Sequence, residues 1–447
     1  MKHLNQYPVI NISLKNVAGN SFEEAVVNYR HELSKFVSLN SYLLDNCDDY
    51  DRKDFLKYLN ENADRLELEW SLRNLTRIMY RHFDKYVMVL IDDYDIPLHY
   101  AYKHGYLDEM ANFLTSLFGS SLKGNDYLYT GVLTGTLRIV TDIISPSFNN
   151  FKLDTVLSEY PHNCFGFAEE EVRCLLSKFD MEDKLSAFRE WYGGYLFGKE
   201  EELYNPSSVM KCISDMSENN ITEPKAYWRD PLRDGVIDEG IRNNLGLKQG
   251  FESILTGEKV IHRMRDHLRY ERLYEDYNVY FLLISTGYLN GEVYNWERRE
   301  YKLTIPNKDV RSIFESYINV YNRELMSQYS KDIGKCLTDG NLEELRKLLH
   351  GFMFDTVAFK ERSIDFYIEL IKGLLSDFYT ITSEGNIITA ENDDGTVSIL
   401  IKVSENFLDL SEDADKACIE LKERIDISDI NAYGISFFGK NCCISKA

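Results

Sequence analysis

Two adjacent carboxylates at the end of an apolar run have the clearest chemical potential in this sequence. Asp92 and Asp93 follow the run of residues 86–91, and such a run suits a parallel strand that is buried on both faces. The C-terminal end of a parallel strand delivers side chains to the crevice where such sheets bind ligands. In nucleotide hydrolases the first acid holds Mg²⁺ and the second orients the attacking water. The pattern predicts a Walker B strand, with Asp92 as the metal ligand and Asp93 as the catalytic acid.

The phosphate-binding loop that normally accompanies such a strand is missing upstream of it. The loop G-x-x-x-x-G-K-[ST] supplies backbone N–H groups and a lysine to the phosphates, but Gly19 is the only glycine before Asp92. One match to the glycine spacing occurs downstream, at residues 434–440. We interpret it as a buried strand, because Asn441 stands where the Mg²⁺-binding hydroxyl residue should be.

Composition limits the classes of partner. The chain has 447 residues, with 51 Lys and Arg against 73 Asp and Glu, and a formal charge of -22. This charge opposes broad non-specific binding to nucleic acid or anionic membranes. The basic cluster at residues 262–272 is more typical of a solvated helix face than of a contact to a phosphate backbone.

Targeting and cysteine patterns indicate where the protein works. The 8 cysteines contain no C-x-x-C pair, which favours a reducing compartment without structural zinc. The sequence shows neither a secretory signal nor an apolar run long enough to span a membrane. We therefore expect a cytoplasmic protein without a membrane partner.

The elements that would position the acids follow an alternating order. A β-rich segment at residues 7–14 precedes Ser21 and Glu24, which have capping-box spacing. Helical periodicity, a strand at 86–92, a further helical region and a strand at 127–134 then follow. This order predicts a parallel sheet, with strand 86–92 between the other two. Three strands are few for such a domain, so we expect one apolar face or edge to be uncovered.

The rest of the chain divides into two further regions. A polar break at residues 217–224 marks a boundary, and the residues after it are mainly helical. Strands near 387–390, 397–403 and 433–438, with a helix at about 411–425, predict a small α/β domain. The predicted domains are therefore residues 1–215, 216–335 and 336–447.

Several short phrases in one colinear order resemble a known family. The first are Tyr7-Pro8-Val9-Ile10, Leu90-Ile91-Asp92-Asp93-Tyr94-Asp95-Ile96-Pro97-Leu98, and Thr134-Gly135 with Arg138 and Asn149-Asn150. The later ones are Trp191-Tyr192 with Tyr195, Tyr204-Asn205-Pro206, Gly287-Tyr288-Leu289, Ile305-Pro306-Asn307-Lys308 and Gly434-Ile435-Ser436-Phe437. Together they resemble a prokaryotic family that joins an AAA-ATPase-like domain to a C-terminal PD-(D/E)XK nuclease-superfamily domain.

The resemblance implies a fold. It implies an α/β P-loop-NTPase-like domain with a parallel sheet that lacks its first strand-loop-helix unit. It further implies a helical middle region and a C-terminal α/β restriction-endonuclease-like domain. The family normally begins with a segment that contains a Walker A loop, and Met1 falls after that segment. We therefore expect a truncated gene or a wrongly assigned start.

The resemblance also implies ATP and Mg²⁺ as cofactors. Thr134 resembles the family's polar sensor, and Arg138 resembles an arginine that faces the γ-phosphate. The family usually has Glu where this chain has Asp93, and the shorter side chain retracts the carboxylate by about one methylene from a bound water, which weakens its activation. The alternatives are a solvated turn for the acids and a surface or ion-paired role for Arg138. We predict weak or absent ATP–Mg²⁺ binding.

The nuclease signature is incomplete. Such enzymes hold Mg²⁺ with an Asp and a Glu, and place a Lys two residues after the Glu on the same strand face. Lys402 fits this position, but Leu400 takes the place of the acid. The nearest upstream acids, Glu391, Asp393 and Asp394, are predicted to lie in a turn. We predict an inactive nuclease domain with Lys402 as a vestigial catalytic residue.

Two functions from different classes follow. The first is a degenerate member of the family, without ATPase or nuclease activity, that binds or scaffolds. Its partner would be nucleic acid, another protein, or a second copy through the exposed sheet. The alternative is a fragment of an active AAA-type ATP-binding protein whose P-loop is encoded upstream of Met1.

Overall fold

The computed structural model describes residues 5–136, 151–152, 154–158, 164–198, 201–219, 221–228, 231–264, 276–356, 363–425 and 430–447. The chain divides into two compact units. The first unit comprises Met1–Tyr227 and Ile261–Asn307, and the second comprises Trp228–Val260 and Lys308–Ala447. The residues of the predicted middle region are thus shared between the two units.

The first unit begins with alternating strands and helices. Its elements are β1 (Val9–Ser13), α1 (Phe22–Leu39), α2 (Asp49–Leu59), α3 (Arg65–Glu69), α4 (Ser71–Phe83), β2 (Val87–Asp92), α5 (Ile96–His104), α6 (Leu107–Leu122) and β3 (Leu128–Leu133). The three strands form a sheet in the order β1-β2-β3, and both pairs are parallel. The predicted central position of the acidic strand is confirmed.

One face of this sheet carries the helical layer. Helices α1, α4 and α6 contact β1, β2 and β3, respectively. Along β2 the buried residues Val87, Val89 and Ile91 alternate with half-buried Met88 and Leu90. Strand β2 is therefore fully buried on one face and half-buried on the other, which differs from the expected burial on both faces. The prediction of a less covered apolar face agrees with this alternation.

Local signals explain where the first helix begins. The Ser21 side chain accepts a hydrogen bond from the Glu24 backbone N–H at 3.3 Å. The Glu24 carboxylate in turn accepts from the Asn20 N–H at 2.8 Å. These contacts satisfy two donors near the helix start, so the predicted cap is confirmed.

The remaining elements follow in chain order. They are α7 (Glu169–Ser177), α8 (Leu185–Tyr192), β4 (Tyr195–Phe197), β5 (Glu201–Leu203), α9 (Pro206–Glu218), α10 (Pro231–Asn243), α11 (Leu245–Leu255), β6 (Val260–Arg263), α12 (Asp276–Ser285), β7 (Asn290–Asn295), β8 (Glu300–Thr304), α13 (Lys308–Asp339), α14 (Leu342–Thr356), α15 (Ile364–Leu375), β9 (Thr380–Glu384), β10 (Ile387–Asn392), β11 (Gly395–Val403), α16 (Leu410–Arg424), β12 (Asn431–Phe438) and β13 (Asn441–Lys446). In the first unit β4 pairs with β5, and β6, β8 and β7 form a small sheet.

Several family-like phrases converge on one loop of the first unit. The Asn307 side chain donates to the Gly193 carbonyl, and the Asn290 side chain donates to the Gly194 carbonyl, both at 2.7 Å. Gly194 has φ +80, a conformation that favours glycine. These contacts hold the loop between α8 and β4, so the phrases have a structural role here.

The second unit contains a five-stranded mixed sheet in the order β13-β12-β11-β10-β9. Strand β11 is parallel to β12, and the other neighbouring pairs are antiparallel. The predicted strands and the helix between β11 and β12 are present. The two outer strands were not predicted. Strand β9 is largely exposed, so its sequence lacks the apolar alternation that marks a half-buried strand.

Membrane insertion has no support from the helices. None of the helices in the described ranges combines the length and the apolarity that crossing a bilayer requires.

Candidate functional site

The structure brings the predicted site residues Asp92, Asp93 and Thr134 to one edge of the first sheet. Ser13, which was not predicted, lies at the same edge. Ser13 pairs in register with Asp92 at the C-terminal ends of β1 and β2. Thr134, just after β3, donates its hydroxyl to Oδ1 of Asp92 at 2.5 Å. Ser13 donates its hydroxyl to Oδ2 of Asp93 at 3.2 Å. Each carboxylate is therefore held by a hydroxyl from a different neighbouring strand.

The backbone at the acidic pair is also fixed. Asp93 has φ +55, a left-handed conformation in which Asp is tolerated better than most residues. Its N–H donates to Oδ1 of Asp92 at 3.0 Å, and its carbonyl accepts from the Ile96 N–H at 3.2 Å. The two carboxylates come from adjacent residues, and the turn therefore places both at the same edge of the sheet.

Asp95 holds the loop that follows β3 at this edge. The sequence alone assigned this residue no role beyond the acidic turn. The residue is 1% exposed, and both of its carboxylate oxygens accept from the Thr136 N–H at 3.2 Å. A Cβ atom added to Gly135 would lie 2.5 Å from Oδ1 of Asp95. Glycine is therefore required where the loop after β3 meets this buried carboxylate, which fixes the position of Thr134.

The edge has oxygen atoms available for a cation. The second carboxylate oxygen of Asp92 and that of Asp93 make no hydrogen bond within the described part of the chain. Carboxylate oxygens suit Mg²⁺, which commonly uses one or two protein carboxylates and keeps water or phosphate as its other ligands. No cluster of three or more His, Cys, Asp or Glu suited to a metal occurs in the described ranges. A cation here would therefore rest mainly on Asp92 and Asp93.

The other two predicted site residues are Arg138 and Lys402. Arg138 falls outside the described residues. Lys402 belongs to the second unit and ion-pairs with Glu420 of α16 at 2.8 Å. This hydrogen-bonded lysine lowers the pKa of Glu420 below its ordinary value.

The nuclease-like position is closed by packing. Leu400 and Lys402 lie on the same face of β11, as the alternation predicted. Leu400 is 0% exposed and packs with Ala417 and Leu421 of α16. A side chain in such a dry helix–sheet contact cannot hold a hydrated metal.

The upstream acids are also remote from Lys402. Asp393 and Asp394 form the turn between β10 and β11, whereas Glu391 lies in β10 opposite Thr396. Thr396 precedes Lys402 by six residues of β11, which is roughly 20 Å along a strand. The prediction of a turn is thus correct for the two aspartates but wrong for Glu391.

The glycine-rich match near the C-terminus is a strand and a turn. Gly434 lies in β12, and a Cβ atom added there would lie 2.6 Å from the backbone N of Cys418 in α16. Lys440 is 4% exposed and donates to the Phe354 carbonyl at 2.8 Å; burial lowers its pKa. The glycine serves close helix packing, and the lysine caps the C-terminal turn of α14.

The comparisons with known proteins concern the N-terminal part of the chain. Searches of the curated proteins and of the solved structures returned no match. Residues 1–145, which contain Asp92, Asp93 and Thr134, match the model of the AAA-ATPase-like family, described as predicted AAA-ATPase. This part of the chain is therefore similar to that family.

Proposed function

We propose that this protein binds its partners and does not catalyse ATP hydrolysis or DNA cleavage. Its AAA-ATPase-like region would hold Mg²⁺ at Asp92 and bind ATP–Mg²⁺ weakly, without turnover. Its C-terminal region would be a restriction-endonuclease-like domain without a metal centre. The observation that carries this proposal is the burial of Leu400 beneath α16, where cleavage would require a metal-holding acid.

The second unit supports the nuclease-like origin. Strands β10, β11 and β12 with α16 between the last two form a small α/β domain, the fold class that the resemblance implies. Lys402 lies on the expected face of β11, but Glu420 neutralises it. Neither group is placed to stabilise charge on a phosphodiester.

The first unit supports weak nucleotide binding. The edge at Asp92 offers carboxylate oxygens to a cation but is itself acidic. The sequence before it contains no glycine-rich loop to surround phosphates with N–H groups. Without such a loop, ATP would be held largely through the cation, which limits both affinity and turnover.

Two measurements test this proposal. Calorimetric titration of ATP–Mg²⁺ into the 447-residue chain should give no affinity in the micromolar range, with no phosphate release on prolonged incubation. Supercoiled plasmid DNA should remain intact with Mg²⁺ or Mn²⁺. Micromolar ATP affinity that Asp92→Ala abolishes, or plasmid nicking that Lys402→Ala abolishes, would contradict it.

The partner would be nucleic acid, a protein or a second copy of the chain, in a cytoplasmic setting. The less covered face of the first sheet supports self-association, since Val9 and Val132 on it are 40% and 44% exposed. Sedimentation velocity should then show a concentration-dependent dimer. A monomer at all concentrations would remove this option.

A second candidate function is favoured by the intact edge of the first sheet. Thr134 still contacts Asp92, as a sensor residue beside a metal ligand would. In this proposal the phosphate-binding loop is encoded upstream of Met1, and the complete protein is an active ATPase. Sequencing of the DNA 5′ of the Met1 codon, followed by ATPase assay of the longer product and its Asp92→Ala variant, distinguishes the two candidates.

A further inference from the structure

The hydroxyl of Ser13 occupies a directional position beside the acidic pair. Its oxygen accepts a hydrogen bond from the Lys15 backbone N–H at 3.2 Å. The same hydroxyl donates to Oδ2 of Asp93 at 3.2 Å. Ser13 thus lies between a fixed backbone donor and a carboxylate of the candidate cation site.

The two contacts determine the direction of the hydroxyl proton. A serine hydroxyl has one proton and two acceptor lone pairs. Because the Lys15 N–H already approaches one lone pair, and a carboxylate is the strong acceptor nearby, the proton points to Asp93. The backbone of the loop after β1 therefore orients this carboxylate through Ser13.

This orientation matters because the turn alone does not fix the side chain of Asp93. The φ of +55 determines where its Cβ lies, whereas rotation of the carboxylate about its side-chain bonds remains free. The hydrogen bond from Ser13 to Oδ2 restricts that rotation, and Oδ1 of Asp93 makes no hydrogen bond within the described part of the chain. Outer-shell donors of this type commonly align carboxylates that bind metals.

We infer that Ser13 is a positioning residue for a divalent cation, acting through the carboxylate of Asp93. This inference rests on the proposed function, since it assumes that the edge at Asp92 and Asp93 binds the cation. Ser13 itself need not touch the metal. It holds one oxygen of Asp93 so that the second oxygen faces the cation bound at Asp92.

The experiment measures the affinity of the full 447-residue chain for Mn²⁺, which serves as the probe. Electron paramagnetic resonance reports the concentration of the free ion. The variants are Ser13→Ala, Ser13→Thr, Asp93→Asn and the double variant Ser13→Ala with Asp93→Asn. Thr130→Val is the matched control, because it removes a hydroxyl from β3 of the same sheet away from the edge. Urea unfolding of each variant reports stability separately.

We expect Ser13→Ala to weaken Mn²⁺ binding roughly tenfold, as loss of an outer-shell partner does. Ser13→Thr should retain the affinity, because it retains the hydroxyl, and Thr130→Val should match the wild type. In the Asp93→Asn background, Ser13→Ala should change nothing further, since the carboxylate through which it acts is gone.

Three results would overturn the inference, and they differ from one another. Equal Mn²⁺ affinity of the wild type and Ser13→Ala would reject the positioning role alone. An affinity loss that persists undiminished in the Asp93→Asn background, or that parallels a loss of stability, would assign Ser13 a general structural role. No Mn²⁺ binding by the folded wild type would reject the cation site of the proposed function itself.

Discussion

The sheet edges in the two units carry different chemical groups. At the first, Asp92 and Asp93 lie at an open strand end, and hydroxyls from both neighbouring strands hold them. At the second, Leu400 lies under a helix and Lys402 pairs with Glu420 of that helix. The first arrangement places hydroxyl groups beside carboxylate oxygen atoms that can bind a cation. The second fills the strand position of Leu400 with packed apolar side chains.

This difference shows that packing decides whether a strand position can bind a cation more clearly than its residue type does. An absent acid in a sequence can be replaced by another acid from elsewhere in the fold. In the second unit the position is filled by close-packed apolar atoms, so no water or cation has room beside Leu400. In the first unit Asp92 and Asp93 instead lie at a hydrogen-bonded strand end.

The largest expected effect tests whether the second region can accept a carboxylate at position 400, as the first region accepts Asp92. Leu400→Glu should lower the free energy of unfolding by roughly 3 kcal/mol or more, because it places a charge in a dry helix–sheet contact. Leu400→Met, a volume-conserving control, should cost less than about 1.5 kcal/mol. Urea unfolding followed by circular dichroism measures both. A stable Leu400→Glu variant that nicks DNA with Mg²⁺ would show that the site is not lost.

The next effect tests the glycine-rich match in the second region. Gly434→Ala should destabilise the protein by about 1–3 kcal/mol, since the new methyl group overlaps the backbone of α16. The control Gly373→Ala lies in α15, where only the flexible end of Met326 is near, and should be neutral or slightly stabilising. Thermal unfolding compares the two. Unchanged stability with a loss of ATP affinity in Gly434→Ala would instead indicate a phosphate-binding loop.

A smaller effect sharpens the description of the first region. Thr134→Val removes the hydroxyl that holds Asp92 while preserving the shape of the side chain. We expect Mn²⁺ affinity to fall roughly tenfold, with no comparable change in urea stability. Titration monitored by paramagnetic resonance, with Thr130→Val as the control, measures this. Equal affinity in both variants would mean that Thr134 does not organise the edge.

The smallest effect concerns the ion pair of the second region and its pH dependence. Lys402→Ala should cost about 0.2–1 kcal/mol at neutral pH, because the pair is partly exposed. Lys402 lowers the pKa of Glu420, so the stabilisation is present above the ordinary carboxyl pKa. It is lost as the pH falls through the lowered pKa. The difference between the wild type and Lys402→Ala should therefore be largest near pH 7 and fade below about pH 4.

Lys422→Ala provides the matched control for that measurement. Lys422 lies on the exposed side of α16, the helix that carries Glu420. Its removal therefore changes the net charge equally without breaking the ion pair between Lys402 and Glu420. Its stability difference from the wild type should be small and independent of pH across the acidic range. A pH-independent loss in Lys402→Ala would mean that its aliphatic stem stabilises the domain, and not its charge.

Much of the first sheet was predictable because local patterns and topology act together there. The apolar run before Asp92 specified a strand, and the β-α-α-β-α-β order specified parallel pairing with that strand in the centre. The capping residues Ser21 and Glu24 marked the helix start. These features depend on neighbouring residues, whose types state their local preferences directly.

The details of the site were less predictable because they depend on side chains from separate strands. Ser13 carries no motif that distinguishes it from other strand-end residues, and the phrase that contains Gly135 does not reveal what this glycine contacts. Their roles arise from register, which places Ser13 beside Asp92, and from the close approach of Gly135 to Asp95. The Glu420 partner of Lys402 could not be chosen among many surface acids without the packing of α16.

The sequence by itself determined the central acidic strand, its parallel neighbours, and the leucine two residues before Lys402. The tertiary structure decided that hydroxyls of Ser13 and Thr134 hold the carboxylates, and that α16 seals Leu400 from water. The physical reason is the separation in sequence of the residues that interact. Strand and helix preferences are set by residues a few positions apart, whereas hydrogen-bond partners and dry contacts require segments that are distant in sequence to pack together.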